Sequence, residues 1–124
     1  TGGRLVTIDI DAARHREALR NFELAGVARY ADARLADAHE LVPRLEGPFD
    51  FVFIDADKDW YTRYAKAVLP RLMPGGCLTA HNVSPGRGRW QMTGDFYDYV
   101  TSLPDMETTF SAGVMVSCKR AAPR

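Results

Sequence analysis

The chain has 124 residues, of which 46% are hydrophobic, and this is enough apolar material for the core of one domain over residues 1–124. Its 16 basic and 16 acidic residues balance to a formal charge of zero, so no basic block indicates a nucleic-acid partner. No apolar stretch approaches the roughly 20 residues that a membrane span needs. We therefore expect a cytoplasmic protein with neither a nucleic-acid nor a membrane partner.

The first half of the chain alternates strand and helix patterns. RLVTIDI at 4–10 is a short β-branched run that predicts a strand. Helical spacing of apolar residues follows over 11–26, with Asp11 as the predicted N-cap. A weaker strand pattern at 27–33 and a short helical pattern at 37–46 complete this half.

The second half continues the alternation. FDFVFID at 49–55 predicts a buried strand, and a helical pattern follows at 59–73. A Pro-Gly-Gly turn then precedes a predicted strand at 75–83, and 95–103 predicts a further helix.

The chain ends in two strand patterns, METTFS at 106–111 and GVMVSCKR at 113–120. They leave almost no room for a crossover helix, so they should pair antiparallel. Strands that alternate with helices predict an α/β fold with a mostly parallel, doubly wound sheet, to which this C-terminal hairpin adds an antiparallel pair.

The two cysteines, Cys77 and Cys118, fall within predicted strands. They are too few and too far apart in sequence for a disulfide framework or a CxxC metal site. We expect both to be reduced and to pack as small hydrophobic side chains.

Polar side chains lie at the carboxyl ends of three of the predicted parallel strands. They are Asp9, Asp55 and the pair His81 and Asn82. Because ligands of such sheets bind beyond the carboxyl ends of the strands, the sequence predicts that these residues contribute to one site.

Four segments, in their order and spacing, resemble the small-molecule O-methyltransferases of the class I S-adenosylmethionine (SAM)-dependent type: TIDID, FDFVFIDADKDWY, LPRLMPGGCLTAHNV and GVMVSCKR. The catechol and caffeoyl-CoA O-methyltransferase branch is the most similar in pattern, and D-A-D-K-D-x-Y after a buried strand is the most specific element. The resemblance implies a Rossmann-like methyltransferase sheet, SAM as cofactor, a small aromatic acceptor with a hydroxyl group, and a homodimer.

The resemblance also implies cofactor-binding roles. In that family the acid that closes the second strand binds the ribose hydroxyls of SAM, which corresponds to Asp9 with its neighbour Ile10. A carboxylate is suited to this role because it can accept a hydrogen bond from each of the two hydroxyl groups. The adenine-side segment of the family matches Asp37 and Ala38, and Asp37 is equally suited to be a helix N-cap. Asp55 completes the predicted cofactor-binding set.

In the metal-dependent relatives, the first acid of D-A-D-K binds a divalent cation and the lysine removes the acceptor proton. The matching residues are Asp55 and Lys58. A cation bound to both oxygens of a catechol would favour loss of the hydroxyl proton. The alternative for Lys58 is a surface ion pair with Asp57 or Asp59.

The next strand departs from the family pattern, because the metal-dependent relatives carry Asp-Asn where this chain has His81 and Asn82. A histidine nitrogen suits zinc, manganese or iron better than magnesium. Three interpretations stay open. His81 and Asn82 bind a cation together with Asp55, His81 is itself the general base, or His81 has a structural role in the loop.

The acceptor would lie against the polar loop at 84–94. Trp90 and Met92 are candidate walls for a planar aromatic molecule, and Tyr61 or Tyr64 could line the cofactor side.

The glycine-rich E-x-G-x-x-x-G turn of the family, and the strand before it, do not occur in the chain. In the family's strand order, 3-2-1-4-5-7-6, that first strand lies between the strands predicted at 4–10 and 49–55. We therefore expect these residues to be the C-terminal part of a longer protein, and we expect little methyl transfer from the chain alone.

Two other function classes fit part of the sequence. A nicotinamide-dependent oxidoreductase would share Asp9 and the alternating fold, but it gives no reason for D-A-D-K-D-x-Y or the closing hairpin. A non-catalytic methyltransferase-like module that acts by association would fit the absent first strand and the histidine at 81. The interpretation we adopt is a SAM-dependent O-methyltransferase.

Overall fold

In a computed structural model, which describes residues 1–85 and 91–121, the chain forms two compact units. The first is Thr1–Arg44 and the second is Leu45–Arg124. Parallel strands, helices and a closing antiparallel hairpin occur as predicted, so the α/β fold is confirmed.

The first unit is a two-stranded parallel sheet with two helices. Its elements are β1 (Leu5–Asp9), α1 (Ala12–Leu24), β2 (Ala31–Leu35) and α2 (Ala38–Leu41). Asp11 caps α1 as predicted, since its side chain accepts the amides of Ala13 at 2.8 Å and Arg14 at 3.0 Å. The strand predicted at 27–33 begins later, because Ala28–Tyr30 forms a 3₁₀ turn.

The second unit is built on a four-stranded sheet. Its elements are β3 (Phe49–Ile54), α3 (Tyr61–Val68), β4 (Leu72–Ala80), α4 (Gln91–Thr101), β5 (Met106–Ser111) and β6 (Val114–Lys119). The strand order is β3-β4-β6-β5, with β3 and β4 parallel and both pairs of β6 antiparallel. This order matches the 4-5-7-6 side of the sheet that the family resemblance implies.

Strand β4 differs from its predicted bounds. The Pro-Gly-Gly segment, expected as a turn before the strand, lies inside β4 and coincides with a shift in the β3–β4 register. Gly76 permits this close approach, because a Cβ atom there would lie 2.9 Å from the carbonyl oxygens of Asp50 and Met73. The misplaced boundary therefore follows from a local irregularity that glycine allows and a regular strand pattern does not show.

The buried hydrophobic side chains of the described residues all lie in the second unit. The largest that are completely buried are Tyr61, Phe96, Leu78, Met115 and Val100. Tyr61 and Phe96 join α3 to α4 through an edge-to-face contact with ring centroids 5.5 Å apart. No helix in the described part of the chain is long and apolar enough to cross a membrane.

The prediction that both cysteines are reduced is wrong. Cys77 of β4 and Cys118 of β6 form a disulfide. The two residues are directly opposite each other in the antiparallel pair, a register that joins positions 41 residues apart and that cannot be read from their spacing in sequence.

Reduction of this disulfide should destabilise the second unit. In the chain-entropy account, a cross-link that closes a loop of this length contributes about 4 kcal/mol, so we expect reduction to lower the free energy of unfolding by roughly 2–4 kcal/mol. The measurement is denaturant unfolding with and without a dithiol reductant. The Cys77→Ser, Cys118→Ser double variant is the control, since reductant should leave its midpoint unchanged. Alkylation of two thiols in the unreduced protein would contradict the disulfide.

The stability of the protein should also fall at alkaline pH because of Tyr61. Burial raises the pKa of the Tyr61 phenol above its ordinary value of 10.0. The folded state thus holds this proton more tightly than the unfolded state does, so the stabilisation is complete below about pH 10 and is lost as the pH rises towards the folded pKa.

The free energy of unfolding, measured between about pH 9 and pH 12, should show this loss. Tyr61→Phe should remove the part of this pH dependence that Tyr61 causes. Tyr30→Phe is the control, because Tyr30 is 44% exposed. An unchanged slope in Tyr61→Phe would show that another group causes the alkaline loss.

Candidate active site

Asp55 and His81 meet at the carboxyl ends of two neighbouring parallel strands. Ile54 is paired with Ala80 in the β3–β4 register, and the amide of His81 donates to the carbonyl of Ile54 at 3.1 Å. The residues that directly follow the two strands are therefore side by side, with Nδ1 of His81 3.4 Å from Oδ1 of Asp55. Both side chains are 45% exposed, which leaves them accessible to a ligand.

Lys58 reaches the same carboxylate from the turn that precedes α3. Its Nζ lies 3.6 Å from Oδ1 of Asp55, and the Lys58 side chain is only 19% exposed. The ammonium also donates to the carbonyl of Ala56 at 3.2 Å and to the hydroxyl of Tyr61 at 2.8 Å. The ion-pair partner of Lys58 is thus Asp55, and not the Asp57 or Asp59 considered from the sequence.

Asn82 lies where the chain turns away from the sheet. Its φ of 57° is in the left-handed region, which asparagine tolerates better than most residues. The next residue, Val83, is buried and donates its amide to the carbonyl of Gly113 at 2.8 Å. Asn82 is therefore an exposed residue held between two fixed points, His81 and Val83.

Two of the predicted cation ligands, Asp55 and His81, lie side by side. Among the residues that the structure describes, no group of three or more His, Cys, Asp or Glu side chains could hold a metal ion. The Asp55 oxygen is instead shared by the ammonium of Lys58 and the imidazole of His81. A cation at this oxygen would face the positive charge of Lys58, so metal binding by Asp55, His81 and Asn82 stays a prediction.

The predicted cofactor residues of the first unit lie at one edge of its sheet. Asp9 ends β1, and its backbone carbonyl accepts the amide of Ala36, just beyond the end of β2, at 3.0 Å. One side-chain oxygen of Asp9 accepts the amide of Asp11 at 2.8 Å. Ile10, beside it, is 72% exposed.

Asp37 is the N-cap of α2, because its side chain accepts the amide of His39 at 2.9 Å. The capping role considered from the sequence is confirmed. Ala38 is the first residue of α2. Contacts of Asp37 and Ala38 with adenine stay predictions.

The predictions for the residues that would line the site have different outcomes. Trp90 and the side chain of Met92 lie outside the described part of the chain. Tyr61 is 0% exposed and Tyr64 is 6% exposed, so these rings belong to the core and do not line an open surface.

The feature that sequence reasoning missed is the hydroxyl of Tyr61. It accepts from Lys58 and donates to the carbonyl of His81 at 3.0 Å, and thus joins two candidate site residues. The only sequence signal was the three-residue spacing from Lys58 to Tyr61, which places both on the same side of a helical turn.

The chain is similar to known methyltransferases in sequence and in fold. Residues 1–83 match a family described as "Methyltransferase domain". The chain is 38% identical over 85 residues to a catechol O-methyltransferase of Niastella koreensis, a match that covers 65% of this chain and 38% of the relative. It is 33% identical over 85 residues to a caffeoyl-CoA O-methyltransferase of Eucalyptus globulus, covering 64% of this chain and 35% of the relative.

A solved structure is also similar. An O-methyltransferase from Bacillus cereus in complex with SAH superimposes with a TM-score of 0.82 and 26% identity, covering 96% of this chain and 64% of that one. The chain therefore spans less than two thirds of the length of these proteins.

These similarities support neither the nicotinamide-dependent oxidoreductase nor the non-catalytic module. The family match spans residues 1–83 of 124 and includes every predicted cofactor and acid–base residue. The chain belongs to the methyltransferase-domain family.

Proposed function

We propose that the natural protein containing this chain transfers the methyl group of SAM to a hydroxyl oxygen of a small aromatic molecule. The observation that carries the proposal is the cluster of Asp55, Lys58 and His81, in which two potential proton acceptors lie 3.6 Å and 3.4 Å from one carboxylate oxygen. The names of the catechol and caffeoyl-CoA O-methyltransferase relatives support an aromatic hydroxyl as the acceptor.

The first unit offers suitable groups for the cofactor. One oxygen of the Asp9 carboxylate accepts a hydrogen bond from the amide of Asp11, and the other would accept a hydrogen bond from a ribose hydroxyl. When bound, SAM supplies a methyl group on a positively charged sulfur. Binding of SAH by the Bacillus cereus relative supports a SAM site in this protein.

The chemistry proposed is a direct displacement. An electron pair of the acceptor oxygen forms the new oxygen–carbon bond while the sulfur–carbon bond breaks and leaves its electron pair on sulfur. The hydroxyl proton passes to Lys58 or His81 in neutral form, and the neighbouring Asp55 carboxylate stabilises the resulting cation. Positioning of the two reactants supplies most of the acceleration, and no covalent enzyme intermediate is needed.

The acceptor is the partner that the proposal requires. A cytoplasmic location and a homodimer stay predictions from the sequence. Because the chain spans 38% and 35% of the length of the two curated relatives, activity is to be measured on the natural protein.

Replacement of Lys58 should reduce methyl transfer without loss of the cofactor. We expect Lys58→Met to lower kcat by about 100-fold or more, which is typical when a general base is removed. The dissociation constant for SAM, measured by calorimetry, should stay within about twofold of wild type, because the predicted cofactor-binding residues Asp9, Asp37 and Asp55 are all unchanged in the variant.

Lys66→Met is the matched control. Lys66 is an exposed lysine of α3, outside the cluster, so this variant should transfer methyl groups at the wild-type rate. Equal activity of Lys58→Met and wild type would reject the role of Lys58, and a natural protein that neither binds SAM nor transfers methyl groups would reject the function.

Removal of divalent cations should leave most of the activity. The reason is that the nitrogens of Lys58 and His81 lie 3.6 Å and 3.4 Å from the Asp55 oxygen that a cation would need. The measurement is kcat after dialysis against a chelator and after return of magnesium, manganese or zinc. A loss that one of these ions restores would contradict this expectation and would favour Asp55, His81 and Asn82 as its ligands.

A further inference from the structure

The hydroxyl of Tyr61 lies between the backbone of one candidate site residue and the side chain of another. It donates to the carbonyl of His81 at 3.0 Å and accepts from Nζ of Lys58 at 2.8 Å. Tyr61 has no exposed surface, so it does not contact a ligand in solution itself. Any effect on methyl transfer has to pass through Lys58 and His81.

The position of this hydroxyl is set by the core. Tyr61 is the first residue of α3, and its ring packs edge-to-face against Phe96 of α4 with an interplanar angle of 82°. An aromatic ring has only two rotatable side-chain bonds, and here both are fixed by burial. The hydroxyl is therefore a fixed acceptor for the end of a long and flexible lysine side chain.

The hydrogen bonds of Lys58 determine which way its nitrogen faces. The nitrogen has three positions besides its bond to Cε. Two of them carry the hydrogens that are donated to the hydroxyl of Tyr61 and to the carbonyl of Ala56. A tetrahedral nitrogen then has one position left, and Oδ1 of Asp55 lies 3.6 Å from that nitrogen. In the neutral amine this remaining position holds the lone pair, which is the position that would receive a proton.

The second bond of Tyr61 fixes the backbone that carries the imidazole. The amide of His81 is bound to the carbonyl of Ile54, and its carbonyl is bound to Tyr61. Both polar backbone groups of His81 are thus paired at the point where β4 ends. This holds the imidazole on the side of Asp55 although the next residue, Asn82, turns away with a left-handed φ.

We propose that Tyr61 is a positioning residue for methyl transfer, whose neutral hydroxyl directs the free position of the Lys58 nitrogen and the backbone of His81 towards Asp55. The inference rests on the proposed function and adds a residue that neither reaches the acceptor nor binds the cofactor.

The test compares two conservative variants of the same helix in the complete natural protein. Tyr61→Phe keeps the buried ring and removes only the hydroxyl that joins Lys58 to His81. Tyr64→Phe is the control, since its hydroxyl binds Oδ1 of Asp57 at 2.7 Å and its ring is also buried. We expect Tyr61→Phe to lower kcat by about tenfold with KM within about twofold of wild type, and Tyr64→Phe to leave both near wild type.

A purely structural role would give a different result. Equal losses of kcat in both variants, or a lower melting temperature of Tyr61→Phe with unchanged kcat, would overturn the inference.

A second measurement does not depend on catalysis. Nuclear relaxation of the Lys58 Cε should show an ordered side chain in the wild type and a mobile one in Tyr61→Phe, with Lys58 of the urea-unfolded protein as the mobile reference for both. If the wild type transfers no methyl group, the proposed function fails, and relaxation still decides whether Tyr61 orders Lys58. If Tyr61→Phe does not fold, a wild-type Lys58 that is as mobile in the folded protein as in the urea-unfolded protein would overturn the inference.

Discussion

Parallel pairing of β3 with β4 is the constraint on which the candidate site depends. The register that places Ile54 beside Ala80 also places Asp55 beside His81, and the His81 amide extends the ladder by one further bond. Side chains alternate between the two faces of a strand, so a slip of one residue would separate the carboxylate from the imidazole. The turn before α3 then brings Lys58 back to the same carboxylate.

This pairing is secured from the opposite end of β4. Gly76 allows β4 to approach the carbonyl of Asp50 more closely than any residue with a Cβ could. Cys77, directly after it, is linked to Cys118 of β6. A strand with proline and glycine at its start has little intrinsic preference for the sheet, and these two features offset that weakness. The site residues are thus held by contacts that lie several residues away from them.

The sequence predicted most of this arrangement because its signals are local. Strand and helix patterns identified the order of the elements, and the rule that ligands bind at the carboxyl ends of parallel strands brought Asp55 and His81 together. The failures concern pairing between segments that are distant in the chain. The Cys77–Cys118 disulfide follows from the β4–β6 register, and the early start of β4 follows from an irregular pairing with β3. Neither register is encoded in a pattern of neighbouring residues.

The role of Tyr61 escaped prediction for a related reason. From the sequence, Tyr61 was a candidate for lining the cofactor side, whereas in the structure it is completely buried in the core. The hydrogen-bond partners of the Tyr61 hydroxyl can be identified only when the end of β4 and the side chain of Lys58 are both in place.

Electrostatics explains why the position of the Lys58 nitrogen would matter for methyl transfer. An acceptor hydroxyl that loses its proton next to Asp55 would create two negative charges close together, which is unfavourable in a partly desolvated site. A proton held by Lys58 or His81 separates them and makes the combined charge of the cluster one unit less negative. The nitrogen that takes the proton therefore has to lie on the side of the carboxylate, and the buried hydroxyl of Tyr61 is the group that directs it there.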